Sequence, residues 1–215
     1  MIEIPVHNMQ GQQVDSLEVD VQVLGGRVRP QLLKQAYVRY HANRRQGSAR
    51  TRNRALTEGS TRKLYRQKGT GNARRGAVRT NIMRGGGVAH AKCSKSWRLE
   101  MPRKMRRLAN RNALLGKVVD GEIKLVDKFS FAKPSTRQFI SLLQALGIDR
   151  TCLVAVQATT GNEAISARNV PSVNLTHVDQ LNVFNLLNHR YLLADKVSLE
   201  GWILRRAPED SAEAG

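Results

Sequence analysis

Apolar and polar residues alternate through Ile2-Glu3-Ile4-Pro5-Val6 and again at Val14, Leu17, Val19, Val21 and Val23, either side of the polar stretch 8–12, which predicts an N-terminal strand pair. Pro30 suits a first helical position, and Leu32, Leu33, Ala36, Tyr37 and Tyr40 follow it at helical spacing. A second helix is predicted from Pro102, with Met105, Leu108, Ala109 and Ala113 on one stripe and Arg103, Lys104, Arg106, Arg107 and Arg111 off it. After the turn Asp120-Gly121 a strand is expected at 122–126. A helix at 134–146 follows, with Phe139, Leu142, Leu143 and Leu146 inward and Gly147 just past its end. Cys152-Leu153-Val154-Ala155-Val156 is continuously apolar, as a strand covered on both faces is. Beyond it the pattern predicts a short helix at 163–168, a strand at 172–178, a helix at 182–187, a strand at 191–193 and a helix over 195–204. Phe139 and Phe184 are assigned to the core. Strands alternating with helices of these lengths predict an α/β fold, a mostly parallel sheet layered with helices.

One stretch obeys neither period. Between Arg44 and Gly87 seven glycines intervene, Gly47, Gly59, Gly69, Gly71, Gly76, Gly85 and Gly86, and no helical apolar repeat exists, so a solvated helix face is excluded. Charge sharpens the boundary. Residues 44–111 hold 21 of the 36 Lys and Arg but only two acids, Glu58 and Glu100, while the rest of the chain is balanced, so the formal +19 resides here. The chain therefore divides into one α/β body built from 1–43 and 97–206, and an extended, basic, Gly-rich internal loop or arm at 44–96. The segment 207–215, with three acids and no large apolar residue, reads as a disordered acidic tail. An arm with so little apolar surface is expected to be mobile alone and to order on a partner. Each limb, about 26 residues, reaches at most about 80 Å when fully extended.

A length of 215 residues with 40% hydrophobic content suffices for one ordinary core. The charge excess calls for a polyanionic partner, and more strongly than any small acidic metabolite would require. No run of 18 apolar residues occurs, and the N-terminus has neither a basic nor an apolar leader region, so the chain reads as cytosolic and not membrane-associated. Two cysteines, Cys93 and Cys152, make no disulfide framework. Gly69-Thr70-Gly71 invites a dinucleotide fingerprint, but Arg74 stands where its third glycine belongs. A P-loop fails at Ala77-Val78, where Lys and Ser or Thr should follow Gly76. His90 and Cys93 lack a second spaced pair, so no metal is expected. No carboxylate pair or Cys/His/Asp set indicates catalysis, and neither a cofactor nor a small-molecule substrate is implied. Asn174-Leu175-Thr176 is a chance glycosylation sequon in an unexported chain. Tyr65 and Trp97 stand in the cationic segment, where stacking on a base and simple exposure are both open.

Four stretches, in this order and spacing, resemble the bacterial large-subunit ribosomal protein L4 family: Arg45-Gln46-Gly47-Ser48, the run from Tyr65 to Gly76, Arg84-Gly85-Gly86-Gly87-Val88, and the run from Pro102 to Ala109. The likeness continues in Ser166-Ala167-Arg168-Asn169 and in the run from Asn182 to Leu187, and so covers the chain up to the acidic tail. Two departures stand out, Tyr65 where the family usually has Trp and Asn72 where it usually has Arg. The resemblance implies a non-enzymatic constituent of the large (50S) subunit, with its body outside and its arm threaded into 23S rRNA. It also implies early entry into assembly, neighbouring large-subunit proteins as partners, and a tip at 66–75 lining the polypeptide exit tunnel beside the nascent peptide. The candidate RNA contacts are then Arg44, Arg45, Arg50 and Arg52 on the outgoing limb, and Arg62, Lys63, Tyr65, Arg66, Gln67, Lys68, Gly69, Gly71, Arg74 and Arg75 around the tip. Arg79 and Arg84 follow on the return, and Lys104, Arg106 and Arg107 on the helix after Pro102. The alternative is an RNA-binding regulator or RNA-acting enzyme that grips its substrate with the arm; carboxylates or a complete phosphate loop at the strand ends would favour it, and the sequence contains neither.

Overall fold

The computed structural model describes residues 1–206; the segment read as an acidic tail, 207–215, lies outside them. The chain forms two compact units, one of Met1–His41 with the chain from Glu100 onward, the other Ala42–Leu99. The first is the α/β body. Its elements are β1 (Ile2–His7), β2 (Gln13–Val19), α1 (Pro30–Asn43), α2 (Arg103–Val119), β3 (Ile123–Val126), α3 (Thr136–Ala145), β4 (Cys152–Val156), α4 (Asn162–Ala167), β5 (Val173–His177), α5 (Val183–Asn188), β6 (Tyr191–Asp195) and α6 (Lys196–Arg206). A six-stranded sheet runs in the order β2-β1-β3-β6-β4-β5. Only β1 and β2 pair antiparallel; the other neighbours are parallel.

Period-2 alternation divides the strand side chains between two faces. Leu125, Leu153, Ala155, Leu192 and Ala194 join the cluster under α2 and α6, with Ala109, Ala113, Leu114, Leu199 and Trp202. Val126, Cys152, Val154, Val156 and Leu193 join the other cluster, with Phe139, Leu142 and Leu143 of α3 and Ala164 and Ala167 of α4. All five residues of β4 are buried because both its faces are covered, which is why its sequence has no polar position.

Local chemistry sets the helix ends. The Ser135 hydroxyl accepts from the Gln138 amide at the start of α3, and past its end Gly147, at φ 68°, lets its own amide reach the Gln144 carbonyl while Ile148 reaches that of Leu143. Asn182 caps α5 through the Asn185 amide at 2.9 Å. Three expectations need correction. The alternation through Val21 and Val23 is not strand: the Asp20 carboxylate accepts from the Gln22 amide, and Gly25 and Gly26 take positive φ, so the chain turns and the two valines pack against the core from that turn. Val178 belongs not to β5 but to a 3₁₀ turn, Val178–Gln180. Phe184 is half-buried, stacked on Tyr37 with ring centres 5.1 Å apart, because α5 lies at the surface beside α1.

Candidate nucleic-acid interface

The unit Ala42–Leu99 contains 16 basic residues and one acid and, past the end of α1 at Asn43, no helix or strand. Its order comes from hydrogen bonds between two limbs that run out and back. At the root, the Asn43 side chain bonds both ways with the Leu99 backbone, accepting from its amide at 2.8 Å and donating to its carbonyl at 3.2 Å. The Lys95 amide then reaches the Gly47 carbonyl at 3.1 Å. The Thr51 amide reaches the Lys92 carbonyl at 2.9 Å, with the Lys92 amide on the Thr51 hydroxyl at 2.8 Å. Val88 to Arg52 and Leu64 to Gly76 continue the series, each outgoing residue meeting one from further back on the return limb. Gly47 is needed where it stands, since a Cβ there would lie 2.0 Å from the Lys95 carbonyl oxygen.

The Leu64–Gly76 bond closes a tip of residues 65–75. Inside it the Tyr65 hydroxyl donates to the Ala73 carbonyl, Lys63 donates to the Gln67 side chain, and Arg66 donates to the Gly69 carbonyl at 2.8 Å. Gly69 and Gly71 have φ of 78° and 68°, the left-handed region that L side chains rarely enter. Tyr65, Arg66, Lys63 and Gln67 thus shape the tip, whereas Lys68 and Arg74 are exposed without such a bond. A hollow of about 620 Å³ is lined by Arg62, Lys63, Arg66 and Ser60 with the apolar surfaces of Leu64, Tyr65 and Val78. Arg50 and Arg52 border a smaller one, about 320 Å³, beside Leu56. Arg44, Arg45 and Arg84 are exposed; Arg75 and Arg79 are half-buried. Trp97 settles neither of its open readings: the Arg45 guanidinium lies 3.5 Å from its ring centre and Lys95 4.6 Å, so its own limbs occupy it as a cation–π clasp.

Lys104, Arg106 and Arg107 belong to the body, on α2. There the structure assembles a group that periodicity did not reveal. Arg103, Arg106 and Arg107 of α2, Arg205 and Arg206 of α6, Tyr40 of α1 and Asn110 line one cleft of about 610 Å³. Arg205 pairs with Asp179 at 2.9 Å, and Arg206 donates to the Asp179 carbonyl at 2.6 Å and lies 4.6 Å from the Trp202 ring centre. Burial pulls Arg206 below the usual arginine range, Asp179 opposing, and burial beside Arg107 does the same to Arg111. Arg205 and Arg206 lie just past the helix expected over 195–204, and the sequence pattern places Arg103, Arg106 and Arg107 only off the apolar stripe of their helix. Cys152, buried in the sheet, has its thiol pushed up to about 12 by burial and is chemically inert at neutral pH. Among the described residues no group of three or more His, Cys, Asp or Glu is placed to hold a metal, and no helix is long and apolar enough to cross a membrane.

The profile of the ribosomal protein L4/L1 family matches residues 17–203. The chain is 40% identical over 192 residues to the large ribosomal subunit protein uL4 of Dehalococcoides mccartyi, covering 89% of this chain and 91% of that one. It is 37% identical over 203 residues to uL4 of Rhodopirellula baltica, covering 93% and 90%. With uL4 of Moorella thermoacetica the identity is 39% over 196 residues, covering 91% and 95%.

Proposed function

The chain belongs to the ribosomal protein L4/L1 family and has a structural role in the ribosome, and from that premise we propose that it is a primary rRNA-binding protein of the large subunit, important early in that subunit's assembly. In this reading the 42–99 unit is the part that enters the rRNA. The observation that carries it is the makeup of that unit: 16 basic residues against one acid on a backbone whose limbs satisfy each other, so that nearly all the cations are left exposed for phosphates. Glycines at the tip hold the backbone in a path that lets RNA approach closely, and the hollow floored by Leu64, Tyr65 and Val78 accepts an unstacked base among arginines.

The tip at 66–75 then lines the polypeptide exit tunnel, with the exposed Lys68 nearest the nascent peptide. The body remains on the outside of the subunit among other large-subunit proteins, in the cytoplasm. Sedimentation of a cell extract tests this. The chain is expected in the large-subunit peak and in intact ribosomes; recovery only among free proteins at the top of the gradient overturns the reading.

A further inference from the structure

The body carries a cationic cleft outside the 42–99 unit, and two of its arginines, Arg106 and Arg107, are among the candidate rRNA contacts. The cleft formed by α1, α2 and α6 is lined by five arginines, Arg103, Arg106, Arg107, Arg205 and Arg206. The three on α2 follow i, i+3, i+4 spacing, so they crowd one helix face, where like charges repel. Among the described residues these three have no ion-pair or hydrogen-bond partner for their side chains, and the Arg106 Nε is buried without one. Among the described residues, Asp179 supplies the cluster's one carboxylate contact, through Arg205. α2 begins at Arg103, which lines the cleft, with no side-chain cap from Pro102, so the positive end of the helix dipole lies beside it.

This arrangement specifies its ligand by charge density. A backbone phosphodiester brings one negative charge and neutralises one such group. Linked phosphates bring several within a few ångströms, and their oxygens match the planar forks of arginine in bidentate pairs, a geometry lysine lacks. The cleft is lined by arginine and contains no lysine. Its volume of about 610 Å³ suits one nucleotide-sized ligand, and the Tyr40 ring and Asn110 amide offer neutral walls for a base or ribose. We propose that this cleft is a binding site for linked phosphates, either the oligophosphate of a free nucleotide or the 5′-triphosphate end of an RNA strand, and that it acts independently of the 42–99 unit.

Calorimetric titration of the full chain with tripolyphosphate tests the site directly, using Arg106→Ala/Arg107→Ala in the cleft and Arg74→Ala/Arg75→Ala at the loop tip as a charge-matched comparison. The cleft pair is expected to weaken binding about tenfold or more and the tip pair less than about twofold, since bidentate contacts are lost only in the first. Orthophosphate should bind the wild type far more weakly than tripolyphosphate. Displacement by nucleoside triphosphate identifies a free nucleotide as the source, and displacement by a 5′-triphosphorylated oligonucleotide identifies an RNA end; either supports the site. Equal losses in the two pairs reduce it to diffuse charge, and equal displacement by a 5′-hydroxyl oligonucleotide reduces it to a backbone contact; either overturns it. Circular dichroism melts check folding, and should the double variant unfold, Arg107→Gln is titrated in its place against the same outcomes.

Discussion

Asn112 is fully buried on α2, yet it is polar, and its position follows from what it holds. Its amide nitrogen donates to the Arg27 carbonyl at 2.6 Å and its oxygen accepts from the Arg29 amide at 2.7 Å, so one side chain pairs two backbone groups of the turn that leads into α1. Asn112→Ala leaves both groups unpaired in a partly buried place and is expected to cost about 2 kcal/mol, read as a lower urea midpoint with unchanged m-value. Nothing in the local sequence announces this contact, because an asparagine interrupting an apolar stripe looks like a surface position. Lys68 presents the opposite case, a charge directly before Gly69-Thr70-Gly71 in the sequence and exposed in the structure. Lys68→Glu should leave folding and subunit incorporation intact while altering nascent-peptide passage or sensitivity to a tunnel-binding drug. Leu143→Asp places a charge in the cluster under α3, where Leu143 is only 6% exposed, and should abolish folding and incorporation. Occupancy of each variant in large subunits of growing cells separates them, and the reverse pattern would contradict the assignment of tip and core.

At the scale of elements, what the sequence revealed depended on whether an element's determinants are local. β4 was legible because burial on both faces removes every polar residue, and α3 because its cap, stripe and closing glycine are contiguous. The turn after β2 was missed because Val21 and Val23 keep the strand period while Asp20 and the Gly25-Gly26 pair override it. The limb pairing of 42–99 has little side-chain signature, since apart from Asn43 and Thr51 it rests on backbone amides and carbonyls at irregular intervals. That pairing is thin. Within the unit only Gly87 is buried, so few apolar contacts support the hydrogen bonds and local opening should be easy in the free protein. Limited trypsin digestion of isolated protein is therefore expected to cut within 42–99 well before the body, and the same sites should be protected in assembled subunits. Equal resistance of loop and body in the isolated protein would contradict this.

For the whole molecule the decisive quantity is the uneven charge, all of the formal +19 lying within 44–111 while the remainder is neutral. The sequence showed this directly, whereas the cleft joining α2 to α6 stayed hidden because its arginines lie far apart along the chain and meet only through the fold. Separating the contribution of the 42–99 unit is feasible because Asn43 and Leu99 hydrogen-bond to each other, so a short Gly-Ser turn can replace 45–97 and leave the ends of α1 and α2 joined. The most direct test is the affinity of the full chain and of this loop-less chain for large-subunit rRNA across a salt series. If about seven basic residues contact phosphates, full-chain binding should weaken by about three to four decades between about 50 and 200 mM salt. The loop-less chain, folded by circular dichroism, should bind far more weakly and with a much shallower salt slope. A loop-less chain that binds as tightly and as salt-sensitively as the full one would contradict the assignment of RNA binding to the 42–99 unit.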